Sequence, residues 1–140
     1  KNYEINFNIK NFIKEVLTIK NIDAGYFDFN FVDNKFIQSL NNTYLKKDCP
    51  TDVITFNLAD QCNDIIGDVY ISLEQAQQNS RDFKNEFDQE IKLLIVHSVL
   101  HLLDWEDYNK QQQEEMSLEQ ERILSLLEKK QNQKKLGQGK

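Results

Sequence analysis

Apolar and polar residues alternate through Tyr3, Ile5, Phe7 and Ile9, the period of a half-buried strand. Helical spacing takes over at Phe12, Ile13, Val16, Leu17 and Ile19. Tyr26 to Val32 reads YFDFNFV, alternating again and rich in aromatics, so the pattern predicts a second strand. Asp33 stands where it can cap a helix holding Phe36, Ile37, Leu40 and Tyr44. That helix runs out in Lys46-Lys47-Asp48-Cys49-Pro50, where the chain's single proline marks the break. Val53-Ile54-Thr55-Phe56 and Ile65 to Ile71 predict two short strands, with Gly67 a bulge or a point of close backbone approach. Ser72 and Gln75 have the spacing of a capping box ahead of a polar helix from Leu73.

The next helix, from Phe87 to Leu103, is apolar nearly all round in its later part: Ile91, Leu93 to Val96, Val99, Leu100, Leu102 and Leu103. A helix without a polar face is buried on several sides. After a loop at residues 104–110, a last helix is expected to about Glu128, with Met116, Ile123, Leu124 and Leu127 available for packing. There is no internal repeat. The expected architecture is α+β, a single domain in which a small mixed sheet is covered by helices around a buried central helix. Residues 1–128 form that domain, and 129–140 are expected to be a disordered, lysine-rich tail.

Composition narrows the class. The chain has 140 residues, 39% hydrophobic and 11% aromatic, enough for one globular core. No apolar run has the length of a membrane span and no signal-peptide pattern opens the chain, so no membrane partner is expected. Cys49 and Cys62 lack metal or redox spacing and read as free thiols of a cytoplasmic protein. The net charge is −6, but residues 129–140 hold five lysines and no acid. Residues 1–128 therefore carry 12 basic against 23 acidic groups. Such a body offers no general electrostatic attraction to nucleic acid.

The chemistry lies in the apolar helix. His97 and His101 are the chain's only histidines, and at i and i+4 both imidazoles share one face. One divalent transition metal, zinc above all, suits the pair. A catalytic zinc takes three protein ligands and leaves one position open. Asp104, Glu106 and Asp107 are the nearby acids. Asp104 falls where the helix should end and can adopt the left-handed conformation of a stop. Asp107 lies far enough past the reversal to fold back, and is the best third ligand. No organic cofactor is implied.

The run from His97 to Asp107, HSVLHLLDWED, resembles the metal motif H-G-x-L-H-L-x-G-Y-D-H of the bacterial YbeY endoribonucleases of ribosomal RNA maturation. Pro50-Thr51-Asp52-Val53-Ile54-Thr55-Phe56 is similar to that family's P-T-D-V-L-S-F, and Ile66-Gly67-Asp68-Val69-Tyr70-Ile71-Ser72 to its L-G-D-I-x-I-S. Glu114-Glu115-Met116 follows the metal loop as in many members. The resemblance implies metal-dependent cleavage of single-stranded RNA, in 3′-end maturation of 16S ribosomal RNA and quality control of the small ribosomal subunit. It implies one zinc ion on His97, His101 and Asp107. The family's third histidine is Asp107 here, which adds negative charge to the site. Its usual phosphate-binding arginine is Leu45, so Lys46 becomes the candidate phosphate contact, and Asp52 a residue orienting a ligand or its loop. These departures open an alternative, a catalytically weakened metal-binding ribosome-assembly factor. A zinc metallopeptidase is the remaining rival, but it needs a glutamate directly after the first histidine, and that position is Ser98.

Overall fold

The structure, a computed structural model, describes residues 3–22, 25–47, 49, 51–58 and 65–138. Pro50, Cys62 and residues 139–140 lie outside the described residues. In chain order the elements are α1 (Ile9–Ile19), β1 (Gly25–Val32), α2 (Asn34–Leu45), β2 (Val53–Asn57), β3 (Ile65–Ser72), α3 (Leu73–Asp82), α4 (Phe87–Leu102) and α5 (Lys110–Gln138). β3 is the central strand, parallel to β1 and antiparallel to β2, so the sheet is mixed, as expected.

Strand alternation sorts the side chains into two layers. Phe27, Phe29 and Phe31 stand in register with Gly67, Val69 and Ile71, and this face packs into the main core. On the other face Tyr70 stacks on Phe36 of α2 at 5.9 Å between ring centres and meets Phe56 edge-on at 6.0 Å. The main core is built around α4, whose Ile91, Ile95, Val96, Val99 and Leu100 are fully buried and which touches α1, α3, α5, β2 and β3. Gly67 is the close approach rather than a bulge, because its register is continuous with the rest of β3. A Cβ there would come within 2.5 Å of Leu102 Cδ2 and 3.1 Å of the Phe56 carbonyl.

Caps follow the sequence. The Asp33 carboxylate accepts from the Phe36 N–H at 2.8 Å and Ser72 Oγ from the Gln75 N–H at 3.1 Å. The Gln75 side chain does not return to close a capping box; it donates to Asn79 Oδ1 instead. The Ser72 N–H is already taken by the Asp52 carbonyl at 2.9 Å.

Two expectations are corrected. Residues 3–8 are not a strand: Tyr3, Ile5 and Phe7 are half-buried and their neighbours exposed, but the segment finds no sheet partner among the described residues. It lies instead against the start of α4, with Tyr3 stacked on Phe87 and the Asn6 N–H donating to the Asp88 carboxylate. The last helix also runs past Glu128 to Gln138, since residues 129–138 contain no proline and are mostly helix-favouring Lys and Gln. No helix of the described residues is long and apolar enough to cross a membrane.

Candidate metal centre

His97 and His101 sit on the last two turns of α4 with their Nε2 atoms 2.9 Å apart. The outer nitrogen of each ring has a partner. His101 Nδ1–H donates to the Trp105 carbonyl at 3.0 Å, and His97 Nδ1–H donates to Gln120 Oε1 at 2.5 Å. A carbonyl oxygen only accepts, so the proton of each neutral ring belongs on Nδ1 and both Nε2 atoms keep their lone pairs.

The third member arrives through the end of the helix. Asp104 is left-handed at φ 68°, as expected of a stop. Its N–H bonds the His101 carbonyl, and the Trp105 N–H bonds the Leu100 carbonyl, both at 3.0 Å. That double closure reverses the chain within two residues. It also delivers the Trp105 carbonyl to His101. The loop is held further on by Gln113, whose amide donates to the Asp107 carbonyl at 3.1 Å. Asp107 Oδ2 thereby comes to 3.6 Å from His101 Nε2 and 3.9 Å from His97 Nε2.

Three lone-pair atoms thus converge with no proton among them, an arrangement that a cation would stabilise. His97, His101 and Asp107 could hold a metal ion. Ligand atoms about 2.0–2.1 Å from a tetrahedral zinc lie roughly 3.3 Å from one another. The observed separations straddle that value. The side chains are 26%, 24% and 39% exposed, which leaves one side of the group open to solvent. Burial, and then the neighbouring His97, push the His101 pKa below its ordinary 6.5, while Asp107 and the Trp105 carbonyl oppose that shift. Burial suppresses the charged form, which favours the neutral ring that a metal needs.

The other sequence candidates fall in different places. Lys46 ends α2 in a left-handed conformation with its side chain exposed, and no hydrogen bond or ion pair joins it to the histidines. Leu45 beside it is about half exposed. Asp52 does come near the centre, for it shares a cavity wall with His97 and Gln120 and accepts from Asn79 Nδ2 at 3.1 Å. Ser98 is fully buried and donates to the Leu94 carbonyl, so the position after the first histidine supplies no base for peptide hydrolysis. A cavity of about 660 Å³ elsewhere, walled by Tyr3, Phe31 and Phe36, includes none of the three ligand candidates.

Gln120 and Glu90 were not anticipated. Gln120 comes from α5 and carries no mark in the sequence. Glu90 did carry one, being an acid in a largely apolar helix two turns before His97, and so on the same face.

A family model described as Endoribonuclease YbeY matches residues 1–128. An Endoribonuclease YbeY from Carboxydothermus hydrogenoformans is 45% identical over 105 residues, covering 74% of this chain and 73% of the relative. One from Flavobacterium psychrophilum is 34% identical over 137 residues, 94% and 97% of the two chains. The solution structure of TM1509 from Thermotoga maritima superposes with a TM-score of 0.61 at 27% identity, covering 87% of this chain and 85% of that one.

Proposed function

The chain belongs to the YbeY family of endoribonucleases, and from that premise we propose that it is a zinc-dependent endoribonuclease of single-stranded RNA. On this reading its substrate is the 3′ end of small-subunit ribosomal RNA precursor and its setting is the cytoplasm, where it serves small-subunit maturation and quality control. The observation that carries the reading is the convergence of three proton-free ligand atoms on one partly open point.

His97, His101 and Asp107 would hold the ion. When bound, zinc supplies Lewis-acid stabilisation of charge on a phosphoryl oxygen and lowers the pKa of its water. The protein's own part is positional. Gln120 and the Trp105 carbonyl fix the ring tautomers, and the Asp104 reversal presents Asp107. Lys46 is the proposed phosphate contact, a point charge without the two-pronged grip of arginine. Asp52 ties the start of β2 to Ser72 and to Asn79, steadying the wall beside His97.

Leu45 in place of arginine, together with the acidic body, favours a second reading: a ribosome-assembly factor weakened in catalysis. One assay separates the two. Zinc-loaded protein should cut a single-stranded RNA oligonucleotide, and His97→Ala should cut it roughly 100-fold more slowly with unchanged circular dichroism. Equal cleavage by both proteins would identify a contaminating nuclease and remove the reading. Binding to the small ribosomal subunit without cleavage by either protein would leave the assembly factor.

A further inference from the structure

Beside His97 lies a cavity of about 360 Å³ whose wall the metal centre does not explain. Glu90, Asp52, Asn79 and Phe83 line it together with His97 and Gln120. Glu90 is only 3% exposed, and its two oxygens differ. Oε2 accepts from Asn79 Nδ2 at 3.4 Å, whereas Oε1 is buried and has no hydrogen-bond partner. Asn79 cannot relieve it. Its amide nitrogen already serves both Glu90 and Asp52, and its oxygen accepts from Gln75. Burial raises the Glu90 pKa above its ordinary 4.5 and the Asn79 and Asn85 amides oppose that shift, yet Oε1 itself has no hydrogen-bond partner.

An unpaired buried carboxylate oxygen is costly, and a ligand that brings a donor removes the cost. Phe83 gives the second half of the pattern. It closes α3, is 70% exposed, and stands on a firm turn in which Lys84 is left-handed and the Asn85 N–H bonds the Ser80 carbonyl at 2.8 Å. An open aromatic face beside a pocket with a buried acceptor fits a flat ligand with an N–H donor on its edge. A nucleobase is such a ligand, and unpaired bases of single-stranded RNA are bound by stacking on aromatic side chains and by hydrogen bonds to their edges.

We propose that this cavity is the subsite for the base flanking the scissile phosphate, and that it selects a base bearing an exocyclic amine over uracil. Glu90 is the specificity-determining acceptor and Phe83 the stacking face. Uracil presents carbonyl oxygens where cytosine presents its amine and would set acceptor against acceptor. The proposal rests on the endoribonuclease reading, and its test keeps the two apart.

The full-length, zinc-loaded protein is offered single-stranded RNA oligonucleotides that differ only in cytidine or uridine beside the cleavage site. Wild type should favour cytidine by roughly tenfold in kcat/KM, and Glu90→Gln, whose amide can donate to a uracil oxygen, should bring the ratio to about one at unchanged zinc content. Phe83→Ala should raise KM for both by roughly tenfold without altering their ratio. Equal rates on both oligonucleotides with wild type overturn the subsite while cleavage stands, and assign Oε1 to an ordered water. Binding of cytidine and uridine 5′-monophosphates by calorimetry needs no cleavage. A cytidine preference there, in a protein that cuts no RNA, supports the subsite and removes the nuclease. Should Glu90→Gln fail to fold, Phe83→Ala on its exposed ring decides, and an unchanged KM for both oligonucleotides overturns the proposal.

Discussion

Gln120 reaches His97 from a different helix, 23 residues further along the chain, to accept a single hydrogen bond. Outer partners of this kind typically set metal affinity by 10–100-fold, since they fix the ring's tautomer and orientation. Gln120→Ala is therefore expected to weaken zinc binding roughly within that range, read by competition with a chromophoric chelator. Unchanged affinity would mean that the ring is held by packing alone. His101 adds a pH dependence. Its pKa is lowered chiefly by burial, so the folded chain prefers the neutral ring. Below 6.5 the unfolded chain binds more protons than the folded one. The metal-free protein should accordingly keep this contribution above pH 6.5 and lose it as pH falls through the folded pKa. The His101 ring of the metal-free protein is expected to stay neutral to below pH 6.5, read from its ring signals in an NMR titration between about pH 5 and 8, and titration at or above 6.5 would remove this account. At this scale the two histidines and Asp107 were legible, because i, i+4 spacing and a nearby acid are local facts. Gln120 was not, because nothing in the spacing of α5 says which of its glutamines turns toward α4.

Among the elements, the reversal after α4 does most to make the site. Asp104 holds a left-handed conformation that costs an L-residue roughly 1–2 kcal/mol, less for aspartate and nothing for glycine. Asp104→Gly should raise stability by up to about 1 kcal/mol and leave zinc affinity unchanged. Asp104→Val should lower both, since a β-branched residue resists the turn that brings Asp107 back. Urea unfolding and zinc titration of the pair check this, and a valine variant with full zinc affinity would uncouple the turn from the site. The helix stop was readable because only a few residue types tolerate it. The segment from Tyr3 to Ile9 shows the opposite case: its period-2 burial is real, yet a strand also needs a neighbour with free backbone groups, and no local pattern reports one. The far end of α5 was misjudged for a related reason. Charge suggested a solvated tail, while helix propensity and a run without proline carried the helix onward.

Over the whole molecule, one ion-pair cluster ties the early chain to the late chain. Lys20, just after α1, meets Glu119 of α5 at 2.5 Å and lies 5.2 Å from the centre of the Trp105 ring. Arg122 bonds the same carboxylate. Arg122 first, and then Lys20, hold the Glu119 pKa down at about 2. Its stabilisation is thus complete above the ordinary 4.5 and lost as pH falls from there toward about 2. Glu90 works the other way. Burial raises its pKa, so its ionisation counts against the fold as pH climbs above 4.5. Stability measured by urea unfolding should fall between pH 4.5 and 2 in wild type, and fall less steeply in Glu119→Gln. An equal slope in both would assign acid sensitivity to other carboxylates.

The order of strands in the sheet also has a consequence during synthesis. β1 and β2 are not paired with each other, and the strand that joins them is the last of the three to be made. On the ribosome the first strand therefore emerges with no partner. β3 is completed roughly 40 residues later, a wait of about 2–8 s at ordinary elongation rates. Through that interval the row of Phe27, Phe29 and Phe31 lacks α4, the helix that supplies most of the core they pack on, for α4 is later still. The nascent chain thus presents an aromatic segment of the kind that chaperones shield, and its sheet closes only when the central strand slots between two strands already waiting.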